Sequence, residues 1–236
     1  MSARSGRRTA LLWCALPVCA VAQQVGTTPD KSPFRDLEKR QDVTLLVGAS
    51  LLSGKDRAGA APRGGSVFGL RYDLGLGSAP LTFTSVLLRQ GSSREVIQPG
   101  LPLANRSGGT VSQPLWFFDL GLTMLLTGNR SWHGVQPSVT AGAGIAYDGA
   151  GIGDSSNFDF GTRFNPVVGL GVKYTPERSR WTARVDLTNR FYSVPYPQSF
   201  RDTVSGVPRV VGTNVNSAWT RNMMLTLGLV RGIGRR

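Results

Sequence analysis

The stretch SVFGLRYDLGLG, Ser66–Gly77, decides how the chain folds. At a period of two, Phe68, Leu70, Tyr72, Leu74 and Leu76 share one face, while Val67, Gly69, Arg71, Asp73, Gly75 and Gly77 share the other. A half-buried strand of a soluble sheet has this pattern. So does a strand with lipid outside and a narrow polar lumen inside.

The same unit recurs along the 236 residues. Candidate strands are Val43–Leu52, Ser66–Gly77, Pro80–Gln90, Pro114–Gly128, Ser138–Tyr147, Phe164–Tyr174, Trp181–Tyr192 and Trp219–Val230. The clearest is PLWFFDLGLTMLLTG, where Trp116, Phe118, Leu120, Leu122, Met124 and Leu126 alternate with Phe117, Asp119, Gly121, Thr123, Leu125 and Thr127. The connections alternate in length. Long ones run over 53–65, 91–113, 148–163 and 193–218; short ones over 78–79, 129–137 and 175–180. Long loops at one end and short turns at the other describe an up-and-down barrel threaded through a bilayer, with loops outside and turns in the periplasm. A soluble β-sandwich, the competing reading, has no reason to sort its loops in this way.

Two further features favour lipid. The strands run to about ten or twelve residues, near the ~9–11 that cross a bilayer at a tilt and above the ~5–6 usual in soluble sheets. Outward aromatics gather at two levels, Phe68, Trp116, Tyr147, Phe164, Phe191 and Trp219 toward the loop end and Phe83, Tyr174 and Trp181 toward the turn end, as two girdles require. Tyr72 is the exception. The expected fold class is all-β, an eight-stranded antiparallel up-and-down transmembrane β-barrel over 43–236.

Ahead of the barrel, Arg4, Arg7 and Arg8 precede an apolar run from Ala10 that ends in Ala20-Val21-Ala22, the three regions of a secretory signal peptide over 1–22 with Gln23 as first mature residue. A lipoprotein leader cut before Cys19 is the alternative. Both cysteines, Cys14 and Cys19, fall within the leader, so the mature chain has no disulfide framework or thiol chemistry. Residues 23–42 form a polar periplasmic lead, in which Ser32 and Pro33 read as the start of a short helix or the segment as a plain tether. The formal charge is +13; losing three arginines with the leader leaves about +10. On an exported chain that excess points to anionic lipid or lipopolysaccharide phosphates and not to nucleic acid.

The signal peptide, the eight alternating strands and the long/short loop alternation resemble the small outer-membrane barrels of diderm bacteria, the OmpA/OmpX/OmpW-like group. That resemblance implies a monomer delivered by the barrel assembly machinery. It also implies, as one alternative, a narrow channel for small hydrophobic or small polar molecules. Such barrels end on an aromatic residue, whereas this chain ends RGIGRR.

Charges at membrane depth must face the lumen and find partners. Arg71, Asp73, Asp119, Lys173, Arg184, Asp186 and Arg190 all fall on inward positions, and the expectation is a salt-bridged plug. On the loops, Lys55, Arg57, Arg63, Arg94, Arg106, Arg201 and Arg209, with Arg89 and Arg221 at the flanks, are candidate contacts for lipopolysaccharide phosphates. No catalytic residue is assigned: the sole histidine, His133, sits in a short turn. Gly153-Asp154-Ser155 and the glycine run 149–153 lack the context that gives such motifs chemistry. Asp148, Asp154 and Asp159 could gather a divalent cation such as calcium, but they read as solvated loop acids, and no metal or cofactor is expected.

Overall fold

In the computed structural model the described residues are 32–37, 41–53, 56–149, 156–177, 179, 181–203 and 206–233; the leader, with both of its cleavage alternatives, lies outside them. Eight strands form the barrel: β1 Gln41–Ser53, β2 Ser66–Gly75, β3 Leu81–Gly91, β4 Leu115–Leu125, β5 Val135–Asp148, β6 Thr162–Tyr174, β7 Trp181–Pro195 and β8 Ser217–Ile233. Each pairs antiparallel with its chain neighbours, and β8 pairs with β1, so the sheet closes on itself. A sandwich leaves edges that this closed ring of eight strands lacks, and the sandwich reading falls on that closure.

The alternation of Ser66–Gly77 resolves as side chains in two environments. Phe68 and Leu70 are about half exposed, at 48% and 50%, whereas Arg71 and Asp73 are buried at 3% and 4%. The same holds around the ring, with Leu45, Leu122, Leu170 and Leu227 outward and Thr44, Thr123, Gly171 and Thr226 inward. A continuous belt of exposed leucine, valine and aromatic side chains is the surface that hydrocarbon, not water, stabilises.

Strand ends extend beyond the alternating cores. The first strand starts at Gln41, two residues before the expected Val43, and the last begins at Ser217. In the lead, Phe34–Asp36 is a strand and not a helix: it pairs antiparallel with Arg130–Trp132. His133 N donates to Pro33 O at 2.9 Å, and Arg130 Nε meets Asp36 at 2.8 Å. An unpaired edge in the turn segment 126–134 supplied a better partner for the lead backbone than an isolated helical turn could. The barrel unit accordingly runs from Pro33. The connection 92–114 also carries a hairpin of its own, Ser93–Ile97 against Ser107–Ser112.

Candidate functional site

The lumen has two chemical tiers. In the polar tier, two Arg-x-Asp pairs stand on one face of their strands because residues two apart project together. Arg71 Nε donates to Asp73 at 2.8 Å, and Arg184 Nε to Asp186 at 2.6 Å. Arg71 Nη2 reaches Thr84 at 3.1 Å and Thr123 at 2.7 Å, Thr84 donates to Asp73 at 2.7 Å, and Thr123 lies 2.8 Å from Thr140. These hydroxyls carry the network across β3, β4 and β5.

Three ion pairs then cross the interior between strands that are not neighbours. Arg184 on β7 lies 3.5 Å from Asp73 on β2. Arg190 on β7 meets Asp119 on β4 at 2.8 Å through Nη2 and 3.0 Å through Nε, and Asn165 donates to the other Asp119 oxygen at 2.6 Å. Nearer the turn end Lys173 on β6 pairs with Asp42 on β1. All seven expected lumen charges therefore lie inside, each with an opposite charge in contact. Asp42 lies one residue ahead of the alternating run that begins at Val43, and the threonines carry no charge that would mark them as lumen partners in the sequence. Gly171 makes the crowding possible: a Cβ there would meet Asp186, Ser138 and Arg184.

The second tier, toward the loops, is apolar, which the alternation of the strands does not announce. Val67, Leu88, Leu115, Phe117, Tyr192, Val194 and Met224 face inward, and the connections supply Ala60, Ala61, Ile97, Phe158, Phe160, Tyr196, Phe200 and Val211 to the same cluster. Phe160 stands edge-on to Tyr192 at 5.5 Å. Four loops thus converge on one hydrophobic stopper instead of standing in solvent. Between the tiers Arg190 stacks on Phe117 at 5.4 Å. A mid-lumen cavity of about 20 Å³, bordered by Arg71, Thr84, Asp119 and Arg190, has room for a single water.

The basic loop residues divide. Arg57, Arg63 and Arg209 are exposed and Arg201 partly so. Arg63 is paired with Glu95 at 2.7 Å. Arg94, at 1% exposure, is turned inward over the Phe158 ring at 4.6 Å. Arg106, at 8%, donates to the carbonyls of Leu101 and Pro208, tying the second long loop to the fourth. Neither is presented to an outside ligand, because loop packing gave each an internal partner that sequence position could not reveal. Lys55 lies outside the described residues, as does Asp154.

The outward aromatics occupy two levels. Phe68, Arg89, Trp116 and Tyr147 lie side by side in register at the loop end, with Phe164 on β6 and Phe191 and Trp219 on β7 and β8. Phe83, Tyr174 and Trp181 stand at the turn end, joined there by Phe34 and Trp132, which pair with each other.

No protein-family model matches this chain, and no curated protein does. Solved structures do. The outer membrane protein OprG from Pseudomonas aeruginosa superposes with a TM-score of 0.50 at 13% identity, over 84% of this chain and 99% of that one. Neisserial surface protein A (TM-score 0.45, 14% identity, 86% and 98% covered) and the outer membrane enzyme PagL (0.43, 14%, 81% and 99%) are also similar. At such identities the likeness concerns the fold alone, which is that of the small eight-stranded outer-membrane barrels.

Proposed function

We propose that this is an integral outer-membrane barrel with a sealed lumen, loops outward and turns in the periplasm, whose role is structural or surface-interacting and not catalytic. The observation that carries the reading is the set of ion pairs spanning the lumen beneath an apolar stopper, with space for about one water between them. A conducting path needs a continuous polar channel, and here each of the seven charges of the polar tier already has a counter-charge in contact. His133, the one histidine, lies in the short turn segment with its ring against Trp132 at 5.0 Å, at the end of the barrel opposite the long loops. The exposed Arg57, Arg63 and Arg209, and the partly exposed Arg201, suit contact with lipopolysaccharide phosphates. Monomeric assembly by the barrel machinery completes the reading.

Planar-bilayer recording of the full chain tests it. The expected result is no steady current at moderate voltage. A stable conductance, or solute uptake into proteoliposomes, would refute the sealed lumen and return the narrow-channel alternative for small hydrophobic or polar molecules.

A further inference from the structure

Arg89 is a cation on the lipid-facing side of a strand. It lies on β3 in register with Phe68 and Trp116, and its neighbours along the same face are Leu87 and Gly91. None of these is acidic. Its guanidinium sits 5.6 Å from the Phe68 ring and 5.9 Å from the Trp116 ring, so two aromatic faces hold it at the loop-end girdle. Directly beside it the outer wall is hollowed into a groove of about 370 Å³, lined by Leu87, Trp116, Phe118, Ile145 and Tyr147. The two features are arranged by level. Arg89, Trp116 and Tyr147 form one register row, and Leu87, Phe118 and Ile145 form the next row toward the membrane centre.

A fixed positive charge at headgroup height above an apolar groove at acyl-chain depth complements an amphiphile with the opposite arrangement. We infer that this face binds one phosphorylated, acylated lipid of the outer leaflet, a lipid A-type glycolipid, with its phosphate on Arg89 and one acyl chain along Leu87, Phe118 and Ile145. The inference rests on the membrane orientation proposed above. It differs from the loop contacts in being a lateral site on the barrel wall, with a groove as well as a charge. Arginine suits the task because its planar fork engages two phosphate oxygens while its face remains on the rings. Arg231 supplies an internal control: it stacks on Trp181 at 5.5 Å in the turn-end girdle, the same chemistry at the other interface.

The experiment uses the full chain in nanodiscs of phosphatidylcholine doped with bisphosphoryl lipid A or with its fully dephosphorylated form, and counts lipids retained by the released barrel in native mass spectrometry. One bisphosphoryl lipid A per barrel is expected, preferred about tenfold over the dephosphorylated form, the worth of one charge-assisted hydrogen bond. Arg89→Gln should abolish that preference, Ile145→Trp should lower retention of both forms by filling the groove, and Arg231→Gln should leave retention unchanged. Equal retention of the two lipids by the native chain, or an Arg231→Gln loss as large as that of Arg89→Gln, would overturn the site while leaving the barrel reading intact. Gel mobility that does not differ between unboiled and boiled samples would overturn the membrane reading, and this site with it.

Discussion

Replacing Asp119 by Ala tests whether the lumen is held by its ion pairs or merely filled by them. Asp119 is 3% exposed and accepts from Arg190 Nε, Arg190 Nη2 and Asn165 Nδ2 at 3.0, 2.8 and 2.6 Å. Without it, Arg190 at 2% exposure keeps Thr188 and Met224 as partners but no carboxylate. Removing one member of a buried pair costs about 3–5 kcal/mol, most of it from the charge left behind. Replacing both members by apolar groups of similar volume removes that stranded charge, so Asp119→Leu with Arg190→Met should recover most of the loss. The stacking of Arg190 on Phe117 is lost only in the double variant, where it sets a remainder of about 1 kcal/mol. The assay is urea unfolding in lipid vesicles, followed by the gel-mobility shift and tryptophan emission together. An Asp119→Ala variant within about 1 kcal/mol of the native chain, below the whole range expected for a buried pair, would refute the reasoning. So would a double variant no more stable than the weaker single one.

Other perturbations probe other levels. Gly171→Val should prevent closure around Arg184 and Asp186, because the added carbons occupy the pair's own space; the expected readout is loss of the heat-modifiable band. Arg106→Ala should free the second long loop from the Pro208 carbonyl, raising protease cleavage within 92–114 while the gel mobility of the barrel stays native. The Tyr196 phenol is pushed up to about 12, first by burial and then by the nearby Asp56 carboxylate. Below pH ~10, the ordinary phenol value, folded and unfolded states both hold the proton and this group adds no pH dependence. Between 10 and 12 the unfolded segment releases it first, so the loop stopper loses stability as pH rises. Tyr196→Phe should flatten that alkaline decline in a hydrogen-exchange measurement of residues 196–216.

The sequence by itself was enough for the wall of this protein. Facing is a local property: in an extended chain residue 71 and residue 73 must project together, and so must 184 and 186, so RYD and RVD announce inward Arg-Asp pairs before any fold is known. Strand length, loop alternation and aromatic levels are likewise written along the chain, and the eight strands observed follow them with ends shifted by only a few residues. Those ends matter: Asp42 lies just ahead of the alternating run from Val43, so the partner of Lys173 is not legible in the alternation.

Tertiary structure alone decided who meets whom. Arg190 finds Asp119 and Arg184 finds Asp73 across the interior, because tilt and stagger bring non-neighbouring strands to one height, and neither is encoded in the alternation of a single strand. The loops were equally illegible. Phe158, Phe160, Tyr196 and Phe200 have no periodic pattern, and only closure of the ring creates the apolar mouth that draws them in. The same packing turned Arg94 and Arg106 from apparent surface cations into internal ties. Covalent order fixes which side of a strand a residue occupies; the distance across the lumen exists only after eight strands have closed around it.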